Sequence, residues 1–171
     1  QKAIINYRKA IDKNLFSNDL FRKLGICYEQ TSDDLLAEKF FFKALELNPN
    51  DAFTLNYLGY WWADEERNLD KAIELITRAV ALEPNSGYFA DSLGWVFFKM
   101  EKFDKAVDWL EKAIQLTPTD PIIADHLGDA YMKVGRRNEA IYKWKHAILL
   151  GIDKNEESKI KKKLNKIIKN E

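Results

Sequence analysis

Along the chain, two small residues flank one large apolar residue at fixed spacing. Ala37-Phe41-Ala44, Ala72-Ile76-Ala79, Ala106-Leu110-Ala113 and Ala140-Trp144-Ala147 share this frame, and Ala3-Tyr7-Ala10 repeats it near the start. Steps of four and three keep all three residues on one side of a helix. A second element precedes each of the four later stretches. Leu24-Gly25, Leu58-Gly59, Leu93-Gly94 and Leu127-Gly128 recur at intervals of 34, 35 and 34 residues. An aromatic residue follows each Leu at the fourth position: Tyr28, Trp62, Phe97 and Tyr131. Leu and aromatic therefore share a helix face. A period of this length means stacked supersecondary units in which each unit packs on its neighbours.

Each unit is predicted to be two antiparallel helices, A and B, joined by a short turn. Helix A carries the Leu-Gly pair. Gly costs about 1 kcal/mol against Ala inside a helix, so its recurrence predicts close backbone approach where helix A meets its own helix B. Pro49, Pro84 and Pro118 stop three B helices, and Gly151 ends the fourth. Residues 1–17 read as the second half of a truncated unit. Full units follow at 18–51, 52–86, 87–120 and 121–154, and residues 155–171 read as a capping helix. On that last helix Ile160, Leu164, Ile167 and Ile168 share a face among six lysines. The expectation is that this face covers the last unit; an amphipathic helix on an anionic lipid surface is the alternative. Because the chain begins in mid-unit, it is read as part of a longer protein. The second unit has one extra residue within Asp64–Asn68, and Trp61 stands where other units have Cys27, Val96 and Ala130. An oversized side chain in a small slot displaces its neighbours; either the longer turn accommodates it, or the extra residue is tolerated loop variation.

This frame resembles the tetratricopeptide repeat family over nearly the whole chain. The fourth unit matches best, with Leu127, Gly128, Tyr131, Gly135, Ala140, Trp144 and Ala147 at the signature offsets. The early helix-A Trp is replaced by Leu55, Ala90 and Ala124, and no Pro follows the fourth unit. The resemblance implies an all-α, right-handed superhelical solenoid with a C-terminal capping helix. It also implies a concave groove lined by helix A, with contacts from repeat positions 2, 5, 9 and 12. Those positions are Asp19, Arg22, Ile26 and Glu29 in the first unit, and Phe53, Asn56, Tyr60 and Ala63 in the second. They are Tyr88, Asp91, Trp95 and Phe98 in the third, and Ile122, Asp125, Asp129 and Met132 in the fourth. Phe53, Tyr60, Tyr88, Trp95 and Phe98 give this face more aromatic surface than an idle face carries. Asp91, Asp125 and Asp129 beside them favour a protein or peptide partner with basic and apolar residues. In the family's carboxylate-clamping mode the equivalent places hold Lys, Asn and Arg. Here they are mostly Asp, Tyr, Ser or Ile, so that mode is not expected. Two segments, 88–95 and 125–131, are also similar to repeat-rich scaffold proteins of the proteobacterial envelope.

Composition sharpens this reading. The formal net charge is zero, but residues 1–17 carry +3, residues 18–120 carry −8 and residues 121–171 carry +5. An acidic body argues against nucleic acid as the partner. No apolar run approaches the roughly 18 residues of a membrane helix. Cys27 alone excludes an internal disulfide and sits in a small-residue slot. His126 and His146 fall on different helices of one unit, and no metal-ligand or cofactor motif accompanies them. No catalytic constellation is apparent, so the expected role is a non-catalytic interaction scaffold without a cofactor. A homo-oligomeric structural scaffold is the alternative, and an enzyme the least favoured reading. Compartment is open, cytoplasm or periplasm.

Overall fold

The computed structural model describes residues 2–12 and 16–168, apart from the side chains of Ala10 and Ile168. The parts of the expected half unit and capping face that fall on Gln1, residues 13–15, Ala10, Ile168 and residues 169–171 lie outside that description. All regular structure among the described residues is helical. The helices are α1 (Lys2–Asp12), α2 (Asn18–Glu29), α3 (Asp34–Leu47), α4 (Ala52–Asp64) and α5 (Leu69–Leu82). They continue as α6 (Gly87–Lys99), α7 (Phe103–Leu116), α8 (Pro121–Lys133), α9 (Arg137–Leu149) and α10 (Lys154–Ile168). Helices α2, α4, α6 and α8 act as helix A, and α3, α5, α7 and α9 as helix B. The whole is a right-handed superhelical solenoid.

Polar caps set where several helices begin. Ser17, Ser86 and Asp120 accept hydrogen bonds from the backbone N–H groups of Leu20, Phe89, and Ile122 with Ile123. Pro121 opens α8, where its missing N–H costs nothing.

The glycines hold A against B. A Cβ added at Gly25 would meet the Phe41 ring at 2.8 Å, and one at Gly59 would meet Ile76 at 2.6 Å. At Gly94 and Gly128 it would meet Leu110 and Trp144, each at 2.6 Å. These four partners are the large residues of the Ala-flanked frame. The alanines around them are fully buried, so each B helix inserts one knob between small flanks. The paired Leu residues of helix A are buried as well, and so are Tyr28, Trp62 and Tyr131. Phe97, their counterpart in the third unit, stays partly exposed.

The A-to-B turns share one geometry. Asp33, Arg67, Lys102 and Arg136 each donate a backbone N–H to the carbonyl of the helix-A aromatic, all at 2.9 Å. Just before each donor stands a left-handed residue: Ser32, Glu66, Glu101 or Gly135. The second unit adds Asn68, also left-handed (φ 51°), as the cap of α5. The extra residue therefore follows Arg67. Trp61 is buried, donates its Nε1–H to Glu65 at 2.9 Å, and lies under the Arg67 guanidinium at 4.2 Å. The enlarged turn and the enlarged side chain are thus in direct contact.

Neighbouring units are tied by charge as well as by apolar packing. Trp62 Nε1 and Arg67 both donate to Glu38 at 2.8 Å. Tyr131 and Arg136 both donate to Glu111, at 2.7 and 2.8 Å. Burial and the Glu111 hydrogen bond push the Tyr131 hydroxyl up to about 12. At the far end α10 buries Ile160 and Ile167 in the cluster that holds Leu127, Tyr131 and Trp144. The apolar face that a lipid surface would have needed is therefore covered by the last unit.

Candidate functional site

The residues expected to line the groove divide into three groups. Phe53 and Tyr88 are the most exposed, at 54% and 60%, while Ile122 and Met132 are exposed to lesser degrees. Asn56, Tyr60, Trp95, Phe98 and Asp129 are half-buried. Asp91 and Asp125 are buried, and so is Ala63, which has no exposed surface to offer a ligand. Two of them also touch helix B of their own unit: Asp129 accepts from Trp144, and the Phe98 ring lies 5.5 Å from that of Phe103.

Asp91 and Asp125 are buried because the chain supplies their partners. His126 Nδ1 lies 2.9 and 3.1 Å from the two carboxylate oxygens of Asp91, one unit back. The imidazole also stacks on Trp95, with ring centroids 4.1 Å apart and planes 14° apart. Phe98 stacks on the same indole at 4.9 Å. Burial alone would lower the pKa of His126. The Asp91 carboxylate, reinforced by Asp125 and Asp129, outweighs burial and holds His126 above the ordinary histidine range.

Asp125 and Asp129 share one ammonium. Lys163 of α10 donates to Asp125 Oδ1 at 2.9 Å and to the two oxygens of Asp129 at 2.6 and 2.8 Å. Trp144 Nε1 adds a bond to Asp129 at 3.0 Å. Burial raises the Asp125 carboxyl above the usual carboxylate range, with Asp129 adding to the effect and Lys163 opposing it. Two carboxylates against one lysine leave this cluster net negative.

Sequence reasoning gave no role to His126 or Lys163. The repeat ruler carried a signal for Lys163, which lies 34 residues beyond Asp129 and so at the same position of a following helix A. His126 offered no comparable signal, because it stands one position past Asp125, the repeat equivalent of Asp91.

Between helix A of the second to fourth units and α10 lies a cavity of about 510 Å³. Tyr60 and Trp95 line it together with Asp64, Asp153, Glu156 and Lys159. Trp95 Nε1 donates to Asp64 at 3.3 Å. Burial, with the carboxylates of Asp64, Asp91 and Glu156, pushes the Tyr60 hydroxyl well above the ordinary tyrosine range. A smaller cavity of about 250 Å³ adjoins it, bounded by Asn56, Tyr57, Tyr60, Tyr88 and Ile122. Among the described residues no group of three or more His, Cys, Asp or Glu side chains is placed to hold a metal ion. No described helix is long and apolar enough to cross a membrane.

Comparison with known proteins agrees with this architecture. The family model described as TPR repeat matches residues 94–135. An uncharacterized protein, ycf37 of Pyropia yezoensis, is 32% identical over 88 residues, which cover 50% of this chain and 49% of that protein. The TPR repeat-containing protein PA4667 of Pseudomonas aeruginosa is 34% identical over 74 residues, covering 43% of this chain and 12% of its own length. The chain thus spans half or less of the curated relatives it matches. Among solved structures, Pseudomonas aeruginosa pilF superposes with a TM-score of 0.79 at 22% identity, covering 96% of this chain and 75% of pilF. A chain of the Cut9–Hcn1 hetero-tetramer of APC/C also gives 0.79 at 22% identity, over 94% of this chain and 32% of that one. MamA gives 0.68 at 28% identity, over 92% and 89%. Residues 94–135 thus match the tetratricopeptide repeat, and the four helix pairs in one register share the fold of these repeat solenoids.

Proposed function

We propose that the chain is a non-catalytic interaction module whose concave face holds a segment of a partner protein. The observation that carries this reading is the aromatic run of exposed Phe53 and Tyr88 with half-buried Tyr60 and Trp95, beside two adjoining cavities. Exposed aromatic surface of this kind, next to concavities, is what binding hot spots require. The partner segment carries apolar anchors with Lys or Arg beside them. Asp91 is matched by His126 and Glu156 by Lys159, so selectivity for a cation rests on Asp153, on Asp64 with Lys99 3.9 Å away, and on the charge left over from Asp125 and Asp129. Phe98, Ile122 and Met132 extend the apolar contact toward α10, and Asn56 offers a hydrogen-bonding amide.

Selection of peptides from a random display library against the chain tests this. Enriched sequences should combine an aromatic or aliphatic residue with a neighbouring Lys or Arg, and should lose binding to a Tyr60→Ala, Trp95→Ala variant. A library that yields no basic-apolar sequences, or only ones that bind both proteins alike, would contradict the reading.

A second reading, self-assembly, is favoured by large apolar residues on B helices that carry no groove position. Leu35 is 85% exposed, Leu149 83% and Tyr142 65%. Mass in solution decides between the two. A monomer at micromolar concentration removes this reading, whereas a stable dimer broken by Leu149→Glu supports it.

A further inference from the structure

At the C-terminal end of the concave face, a cavity of about 360 Å³ opens between α6, α8, α9 and α10. Its chemistry differs from that of the acidic centre. Trp144 and Ile167 are buried in it, and Phe98 and Met132 add apolar wall. Asp129 also borders it, but that carboxylate already accepts from Lys163 and Trp144. Two further cations border the opening, Lys133 from the end of α8 and Lys166 from α10. Both are exposed, and no carboxylate pairs with either among the described residues. The Lys133 ammonium lies over the Phe103 ring at 5.2 Å and the Phe98 ring at 6.0 Å, cation–π contacts that position it at the rim but supply no carboxylate counter-ion.

We infer that this cavity is a second, oppositely charged subsite that accepts an apolar side chain flanked by a carboxylate on a partner peptide. The volume falls within the range of about 300–1,000 Å³ typical of ligand pockets, and it exceeds what one aliphatic side chain fills. The wall is apolar and the opening carries two unmatched ammoniums, so a neutral apolar segment would leave both cations without partners. A basic segment would meet like charge there. An acidic-apolar segment satisfies wall and rim together. The site depends on α10, because without that helix Ile167 and Lys166 are missing and Trp144 is open to solvent. This inference rests on the reading of the concave face as a ligand groove. It adds direction to that reading: the basic part of a bound segment lies over Tyr60 and Trp95, and the acidic-apolar part lies toward α10.

The test follows backbone amide resonances of the full chain during separate peptide titrations. The probes are acetyl-Gly-Asp-Leu-Phe-amide, its Asn counterpart, and acetyl-Gly-Gly-Leu-Phe with a free carboxyl terminus. Saturable shifts centred on Met132, Lys133, Lys166 and Ile167 are expected with the Asp peptide, the free-acid peptide, or both, and the pattern tells a side-chain carboxylate from a chain terminus. Binding should weaken about fivefold or more for the Asn peptide, for a Lys133→Gln, Lys166→Gln variant, and in high salt, as two exposed charge contacts imply. Both lysines are on the surface, so the variant keeps the fold. Saturation by neither carboxylate peptide, or equal affinity for the Asn peptide, overturns the proposal. A separate titration with acetyl-Leu-Lys-Phe-Arg-amide, expected to shift resonances of Tyr60 and Trp95, reports on the groove itself, so failure of the groove and failure of the subsite are read apart.

Discussion

His126 reaches back one repeat to place its Nδ1 2.9 Å from a carboxylate oxygen of Asp91. That bond couples the third and fourth units on the groove side, where the Leu, Gly and Ala frame has no part. It also makes the interface titratable. The folded chain holds His126 above its ordinary pKa, so folding favours the imidazolium. The resulting stabilisation is complete below the unfolded value of about 6.5 and is lost as pH rises through the folded value. Thermal unfolding followed from pH 6 to pH 9 should show stability falling in the parent chain and a flatter profile in His126→Gln. Parallel profiles would mean the Asp91–His126 pair contributes nothing.

Close approach of the paired helices predicts opposite outcomes for two glycine exchanges. A Cβ at position 59 would sit 2.6 Å from Ile76 and 2.9 Å from the Ala72 carbonyl oxygen, which belongs to backbone and cannot rotate away. Overpacking of this kind costs about 1–3 kcal/mol, more than the helix propensity of roughly 1 kcal/mol that Ala returns. Gly59→Ala should therefore lower the denaturation midpoint. Glu101 has φ 58° in a turn whose counterpart in the fourth unit is Gly135. Glu101→Gly relieves about 1–2 kcal/mol of backbone strain and gives part of it back in unfolded-state entropy. A net gain of about 0.5–1 kcal/mol is expected from urea denaturation.

Lys163 is the pin that fastens α10 to the array on its polar side. Lys163→Met leaves Asp125 and Asp129 facing each other without a cation, and amide exchange over α10 should accelerate. The loss should be about 1–3 kcal/mol. Asp125→Asn in the same background should recover much of it, because burial already disfavours the Asp125 carboxylate. A double-mutant cycle with zero coupling would show that Ile160 and Ile167 alone hold the helix.

How much of this was legible beforehand follows from what each residue touches. Gly25, Gly59, Gly94 and Gly128 could be assigned to the A–B contact because only a missing side chain lets helices approach that closely, and the knobs opposite them recur in register. Tyr88 and Phe53 could be read as off the core because they fall outside the Leu and aromatic face, and both are exposed. Asp91, Asp125 and Asp129 read as free ligand groups because their partners, His126 and Lys163, sit 34 to 38 residues away. A polar pair across repeats leaves no trace in the hydrophobic period. The same reasoning put Ala63 on the groove, whereas it is fully buried.

The central claim is that the aromatic run on the concave face binds a partner segment. Its most direct test is the affinity of one library-selected basic-apolar peptide, measured by calorimetry, for the parent chain and for the Tyr60→Ala, Trp95→Ala variant. Far-ultraviolet circular dichroism would establish that the variant keeps its helices. Loss of two hot-spot aromatics of about 2 kcal/mol each predicts at least a hundredfold weaker binding. Equal affinity for both proteins would contradict the account and move the binding surface elsewhere on the solenoid.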